Sequence, residues 1–297
     1  MQQFIDEEEK GIFMEYLLFL EQNELGFFTN KPGSFPEIDK KQLSSNIISN
    51  AIFDFMKDIQ YNLEGHLLEL ETLGCEAVQV RFFENPEQAI FGKLLESFKE
   101  PAFRCVEFLM NADEMYNEKY LKKILRANPA VNAIVLYGSS RDGFIPLNHY
   151  QSLELKTSSL EKREQCGQMG AKYFNANLSH VIESHNYNSC LNKKISIDEN
   201  GDIKNCPSLN PAFGNARDVS LTEALEKRGF KDFWNLGKDK VEVCKDCEFR
   251  YICTDCRAYT QDPNDKYSKP IKCGYDPYSN IWEDWSINSL SKVANSS

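Results

Sequence analysis

Cysteines are the residues in this sequence whose type and spacing point most directly to chemistry. Seven of the ten cysteines lie between residues 190 and 273. Cys190 and Cys206 flank a glycine in a C-x10-G-x4-C pattern, and a C-x2-C-x5-C-x2-C pattern from Cys244 to Cys256 precedes Cys273. Two thiolates two residues apart bind one metal ion or cluster, because the turn between them brings both sulfurs to the same side. The spacing therefore predicts a metal or cluster site.

Three kinds of cysteine chemistry compete for this stretch. Disulfides need an oxidising compartment, and we expect none because the sequence shows no signal peptide. Zinc binds four ligands, and one such site could be completed by a single run of cysteines: Cys244, Cys247, Cys253 and Cys256. Iron–sulfur clusters typically take four thiolates each, so seven cysteines complete one cluster and supply three ligands of another. Spacing alone does not decide between zinc and iron.

The whole cysteine pattern resembles the SPASM domain, the C-terminal extension of many radical S-adenosylmethionine enzymes that modify peptides. The spacing departs from the family pattern once, with two residues instead of three between Cys253 and Cys256. The resemblance implies two auxiliary [4Fe–4S] clusters. It assigns the first cluster to Cys190, Cys206 and Cys256. It assigns the second, more secure cluster to Cys244, Cys247, Cys253 and Cys273.

The fourth ligand of the first cluster is left open by the sequence. In the family a further cysteine often stands shortly before the position of Cys190, but residues 183–187 contain none. Either His185 takes its place or one iron stays open to a substrate. Cys166 lies in a polar segment and is expected to be exposed, with a role as a spare ligand as the lesser alternative.

Strand and helix patterns alternate through residues 46–140 with a repeat of about 30 residues, the size of a βαβ unit. This alternation predicts an α/β fold with a parallel sheet. The resemblance implies more, namely a partial (β/α) barrel like the radical S-adenosylmethionine core. The predicted strands cover residues 47–55, 77–83, 103–110 and 133–138, and the predicted helices cover 63–73, 86–98 and 114–126.

The radical motif itself, C-x3-C-x2-C, is missing from this α/β region. The only cysteines before residue 190 are Cys75, Cys105 and Cys166, which are too far apart in sequence to form that loop. Cys75 and Cys105 lie beside or within predicted strands and are expected to be small buried side chains. We therefore expect no S-adenosylmethionine cofactor and no radical chemistry on this chain.

The predicted domain organisation has three parts: residues 1–35, 36–180 and 181–297. The first is a helix (residues 6–24) followed by a turn and a short strand within residues 25–29, either a remnant of a winged helix that binds leader peptides or a packing helix. The abrupt start leaves open whether an N-terminal piece precedes it. The second is the partial barrel. The third is the SPASM-like domain, where residues 195–204 predict a hairpin and Ser220 to Glu223 a capping box.

Charge and hydropathy disfavour two classes of partner, nucleic acids and membranes. The net charge is −11 and the pI is about 5.0, which disfavours binding to nucleic-acid phosphates because that affinity rests on a basic surface. No apolar run reaches the roughly 18 to 20 residues that cross a bilayer. We expect a cytoplasmic protein without a membrane partner.

The combination of a SPASM-like tail and a core without the radical motif resembles the peptide maturases of "grasp-with-spasm" systems. That resemblance implies a ribosomally made precursor peptide as substrate and an ATP-grasp ligase as partner. Whether the chain is an enzyme is left open. It is a redox or substrate-binding component, or an adaptor that holds the precursor peptide; the alternative is a structural zinc protein without catalytic activity.

Overall fold

The computed structural model describes residues 7–35, 45–99, 103–160, 166 and 169–283. The chain divides into two compact units, residues 1–40 and 41–297. The division between a barrel and a SPASM-like domain near residue 180 stays a prediction.

The first unit contains helix α1, Glu7–Gln22, and a short 3-10 turn at Pro32–Ser34. The strand predicted at residues 25–29 is wrong, because those residues form no regular structure. A strand needs a partner to hydrogen-bond with, and the described part of this unit contains no other strand. Apolar side chains along this unit stay exposed, among them Ile12, Leu25 and Phe27.

The second unit is built on an eight-stranded, mostly parallel sheet with the order β5-β6-β4-β3-β2-β1-β7-β8. The six central strands run parallel, and the two edge strands, β5 and β8, pair antiparallel. The strands are β1 (Asn50–Phe55), β2 (Ala77–Phe82), β3 (Cys105–Asn111), β4 (Ala133–Tyr137), β5 (Gly143–Pro146), β6 (Ser152–Leu155), β7 (Lys194–Ile197) and β8 (Ile203–Lys204).

Helices α2 (Leu63–Thr72), α3 (Gln88–Glu96) and α4 (Glu118–Ala127) connect the parallel strands β1 to β4 in turn. Helix α5 (Leu178–Asn186) precedes β7, and α6 (Leu221–Glu226) follows β8. Asparagine side chains cap three of the helices, since Asn62, Asn117 and Asn177 each accept the backbone N–H of the third helical residue. Ser220 and Glu223 form the predicted capping box of α6.

The core lies between the sheet and its helices. Strand β1 is buried along nearly its whole length, as expected for a central parallel strand covered by other elements. Phe53, Phe82, Phe91 and Phe108 are each at most 1% exposed and belong to one cluster that reaches from the sheet into α3. Burying each such ring stabilises the fold by roughly 1.5–3 kcal/mol relative to leaving it exposed.

The alternation of strands and helices confirms the predicted α/β class. In the described residues the strand order ends at β5 and β8 without a pairing between them, so a closed barrel is not formed. Cys75 is buried as predicted, but the burial predicted for Cys105 is wrong, since its side chain is exposed. Cys105 is the first residue of β3, and burial along this strand begins only at the next residue.

Beyond residue 227 the described chain contains little regular structure. Its strands are β9 (Tyr275–Asp276) and β10 (Ile281–Trp282), which form a small antiparallel pair. The remainder is turns and 3-10 segments such as Lys238–Lys240 and Cys244–Asp246. Here side-chain hydrogen bonds and buried cysteines take the place of a regular framework.

Candidate metal centre

The hairpin of β7 and β8 places Cys190 and Cys206 at the edge of the sheet. Gly201 adopts a φ of +85° in the turn, a conformation that favours glycine. At the open end of the hairpin, Nδ2 of Asn205 donates to the carbonyl oxygens of Leu191 (3.0 Å) and Lys194 (2.7 Å). These bonds tie the residue before Cys206 to the segment that follows Cys190.

Asn188 holds the backbone of the segment at Cys190. It is fully buried, and its Oδ1 accepts the backbone N–H groups of Cys190 (3.0 Å) and Leu191 (2.8 Å). Its Nδ2 donates to Oδ2 of Asp255 at 3.0 Å. This one amide therefore links the hairpin to the segment between Cys253 and Cys256.

Four thiols gather at the base of this hairpin and form the first cysteine group: Cys166, Cys190, Cys206 and Cys256. Burial raises the pKa of the Cys256 thiol to about 12, and the nearby sulfurs of Cys190, Cys166 and Cys206 add to the rise. Burial likewise raises the pKa of Cys206 to about 11, with Lys194 opposing and the Cys190 and Cys166 sulfurs adding. The mutual influence of these sulfurs shows that the fold brings them into one neighbourhood.

Two cations lie beside the first cysteine group. Nζ of Lys194 donates to Sγ of Cys190 at 3.3 Å. Arg81 makes a bidentate contact with Asp54, at 2.6 and 2.7 Å, at the carboxyl ends of β2 and β1. The pKa of Arg81 is lowered by burial, but Asp54 and, more weakly, the Cys166 and Cys206 sulfurs raise it overall. Carboxyl ends of parallel strands are where open α/β sheets bind ligands.

Four further thiols form the second cysteine group: Cys244, Cys247, Cys253 and Cys273. Burial raises the pKa of Cys244 to about 12, with Lys238 opposing and Cys273 adding. Burial is also the largest cause of the raised pKa of Cys253, where the Cys273 sulfur again adds. The raised pKa of Cys247 has the same main cause, with contributions from Cys273 and Cys253. Cys273 thus accompanies this group, whereas Cys256 lies with the first.

Lys238 is the buried cation of the second cysteine group. Its side chain donates to the carbonyl oxygens of Cys253 (3.1 Å) and Thr254 (2.8 Å). It is 5% exposed, so its charge requires nearby acceptors or anions. The main-chain turn that carries Cys244 starts at Val243, whose φ of +65° is unusual for a β-branched residue.

A buried polar link and one aromatic ring lie between the two cysteine groups. Asp255, placed between Cys253 and Cys256, forms an ion pair with Arg257 at 2.8 Å, and both side chains are at most 1% exposed. Phe233 packs against the cluster that contains Cys206 and also against the one that contains Cys244. The groups therefore share a wall that excludes water.

Aromatic side chains pack together beside Cys247 of the second cysteine group. Phe249, two residues after Cys247, packs against Tyr275 and Trp282, with ring centroids 5.1 and 6.3 Å away. The hydroxyl of Tyr275 donates to Glu248. Such packing excludes solvent, which would tune the reduction potential of a bound cluster.

Sequence reasoning named the seven C-terminal cysteines, but other residues of the site escaped it. His185, named as a possible substitute ligand, stacks on the ring of Tyr251 with centroids 3.6 Å apart. Asn188, Lys194, Lys238 and Asp255 were not singled out. Their signal in the sequence was proximity to a cysteine, and only burial distinguishes them from other polar residues nearby.

The donor sets test whether a cluster fits. In the described part of the chain, no three His, Cys, Asp or Glu side chains lie close enough together to hold one metal ion. Around a tetrahedral zinc the sulfurs would lie roughly 4 Å apart, since Zn–S is about 2.3 Å. Thiolates around a cluster stand farther apart because each binds a different iron. Each cysteine group supplies four thiolates, the number that one [4Fe–4S] cluster takes.

Comparison with known proteins supports the same chemistry. Residues 189–248 match the SPASM family model, which describes an iron–sulfur cluster-binding domain. The matched segment includes four of the cysteines: Cys190, Cys206, Cys244 and Cys247. Neither a curated protein nor a solved structure matches the chain.

A polar cavity of about 490 Å³ lies apart from the cysteines, beside the carboxyl end of β1. Charged residues of both signs line it, including Lys57, Asp58, Glu199 and Arg217.

Among the residues that the structure describes, no helix is both long and apolar enough to cross a bilayer.

Proposed function

We propose that this chain binds two [4Fe–4S] clusters through its C-terminal cysteines. One observation supports the proposal: the sulfurs that raise one another's pKa values fall into the two sets that the SPASM resemblance implies. The raised pKa of Cys256 involves the sulfurs of Cys190 and Cys206, and the raised pKa values of Cys244, Cys247 and Cys253 involve the sulfur of Cys273. The four-cysteine zinc alternative needs Cys256 beside Cys244, Cys247 and Cys253, and Cys256 is not among the causes of their raised pKa values.

When bound, such clusters supply one-electron transfer. The protein's own residues would hold each cluster by thiolates, offset its negative charge and keep water away. Lys194 and Lys238 supply the positive charge, one beside each cysteine group. Phe233 and Phe249 supply apolar cover.

We further propose that the protein acts in the maturation of a ribosomally made peptide, together with an ATP-grasp ligase. In this role it is the redox or substrate-binding component. The sheet, in which β1, β2, β3, β4 and β6 follow one another in sequence order, supports descent from a partial barrel of the radical S-adenosylmethionine type. The adaptor alternative draws support from the net charge of −11, which would favour a basic precursor peptide.

Metal analysis tests the cluster proposal. Iron, sulfide and zinc per chain are measured after anaerobic purification and reconstitution, together with a visible absorption spectrum. About eight irons with matching sulfide are expected, since each cubane contains four. One or two zincs without sulfide would overturn the proposal and favour the structural alternative.

Peptide mass tests the role in maturation. The loaded protein and a reductant are added to a candidate precursor peptide with and without the ATP-grasp ligase, and products are followed by mass spectrometry. A mass change that requires this chain supports the redox role. Tight binding of an unchanged peptide supports the adaptor role instead.

A further inference from the structure

We infer that Cys166 is the fourth thiolate ligand of the first cluster, next to Cys190, Cys206 and Cys256. The inference rests on the proposed function, because it assigns a residue to a cluster that this function requires. It fills the position that the SPASM pattern leaves empty in residues 183–187. Cys166 lies 24 residues before Cys190 and outside the segment that matches the family model.

Hydrogen bonds anchor the backbone at Cys166 beside this group. Nζ of Lys272, a side chain only 4% exposed, donates to the carbonyl oxygen of Cys166 at 2.7 Å. The same ammonium lies 4.3 Å from the ring centroid of Tyr259. The Tyr259 hydroxyl in turn bonds to the Ser208 hydroxyl at 3.2 Å, two residues beyond Cys206.

The Cys166 sulfur also acts electrostatically on groups around this anchor. The charge of this sulfur contributes to the raised pKa values of Cys206, Cys256 and Tyr259. It also acts on Lys194, whose pKa burial lowers and the sulfurs of Cys190, Cys206 and Cys166 raise to a net increase. These partners belong to different segments of the chain, and their common neighbourhood is the first cysteine group.

The other two cysteines outside the C-terminal block behave differently. The pKa of Cys75 is raised to about 12 by burial, with its own backbone neighbour Ala77 and Glu76 as the further causes. The pKa of Cys105 is raised by burial and by Glu107. Neither has one of the seven C-terminal sulfurs among these causes. Of the three cysteines outside the block, Cys166 alone joins a cysteine group.

A fourth thiolate changes what the first cluster can do. Four thiolates saturate the four irons of a cubane, so no iron is left open for a substrate. His185, the competing ligand, is engaged with Tyr251. The first cluster would then suit electron transfer or structural support, and a substrate peptide would bind elsewhere on the chain.

Substitution tests the assignment in the full chain. Cys166→Ala is compared with Cys105→Ala, which removes an exposed thiol whose pKa no C-terminal sulfur affects. After anaerobic reconstitution, we expect Cys166→Ala to retain the second cluster and to lose between about one and four of the roughly eight irons. Its electron paramagnetic resonance spectrum should gain a three-iron signal on oxidation, which added 2-mercaptoethanol suppresses by occupying the open iron. Cys105→Ala should match the unmodified protein. Unchanged iron content and spectrum in Cys166→Ala would overturn the inference.

Alkylation of the unmodified protein tests the assignment without any variant. Iodoacetamide is added anaerobically to the reconstituted protein and to protein stripped by a chelator, and each cysteine is followed by mass spectrometry. We expect Cys166 to react at least tenfold more slowly when the clusters are present, while Cys105 reacts equally in both. Equal reaction of Cys166 in the two preparations would contradict the inference even if Cys166→Ala fails to fold.

The two ways of failing are distinguishable. If the unmodified protein binds no iron and sulfide, the proposed function fails before Cys166 is tested. If it binds about eight irons and Cys166 reacts freely, the clusters stand and only the ligand assignment fails.

Discussion

The two cysteine groups contain the same parts on different scaffolds. Each gathers four thiols around a partly or fully buried lysine, Lys194 in the first and Lys238 in the second. The first is attached to the sheet, since Cys190 and Cys206 flank the hairpin of β7 and β8. The second lies in a segment of turns between α6 and β9. A sheet holds its shape without metal, whereas a set of turns depends on what its side chains bind.

The largest expected effect comes from breaking the second group. Cys244→Ala should reduce the iron content from about eight to about four per chain and leave the turns around residues 238–274 open to proteolysis. Cys206→Ala should lose as much iron, but its sheet should keep the surrounding chain folded. Metal analysis and limited trypsin digestion, with cleavage sites mapped by mass spectrometry, measure both effects. Equal protease sensitivity of the two variants would refute the contrast between scaffolds.

The next largest effect is expected from breaking the buried ion pair between Arg81 and Asp54. Arg81→Met leaves the fully buried Asp54 without its bidentate guanidinium, and breaking such a pair costs about 3–5 kcal/mol. The matched control is Arg250→Met, because the Arg250–Asp239 pair is solvent-accessible and should cost at most about 1 kcal/mol. Urea unfolding monitored by circular dichroism gives both values. A loss of unfolding free energy below 1 kcal/mol for Arg81→Met would show that this pair does not stabilise the carboxyl ends of β1 and β2.

A smaller effect separates the two lysines. Lys194→Met removes the ammonium that donates to Sγ of Cys190, and a cation stabilises the more negative, reduced cluster. The potential of the first cluster should fall by about 60 mV, equivalent to a tenfold change in a one-electron equilibrium.

Lys238→Met is the matched variant for the second group and should lower the other potential instead. Redox titration followed by electron paramagnetic resonance resolves the two clusters. If either variant moved both potentials equally, the assignment of one cation to each group would be wrong.

The smallest effect is expected at α6, which lies in sequence between the hairpin and the second group. Ser220→Ala removes a cap that accepts the backbone N–H of Glu223 at 3.1 Å and should cost about 1 kcal/mol in urea unfolding. Iron content should stay the same, because this helix carries no cysteine. A loss of iron in Ser220→Ala would mean that the helix positions one of the groups.

Local patterns predicted much of the fold correctly. The strands and helices from residue 50 to 137 match the predicted alternation within a few residues at each end, because burial periodicity and turn residues are local signals. The hairpin turn at Gly201 and the capping box at Ser220 were predicted for the same reason. The strand expected at residues 25–29 failed, because pairing depends on a partner that local sequence does not show.

The candidate site also combines residues that local sequence predicted with residues that it did not. Spacing in the sequence singled out the seven C-terminal cysteines, and the SPASM resemblance divided them, with Cys256 in the first group and Cys273 in the second. Only the tertiary structure brings the Cys166 sulfur into the neighbourhood of Cys256. Cys166 and Cys256 are 90 residues apart in the chain. Spacing rules act over one or two turns, and bringing such distant sulfurs together requires the hairpin at the sheet edge and the buried contacts of Lys272 and Asn188.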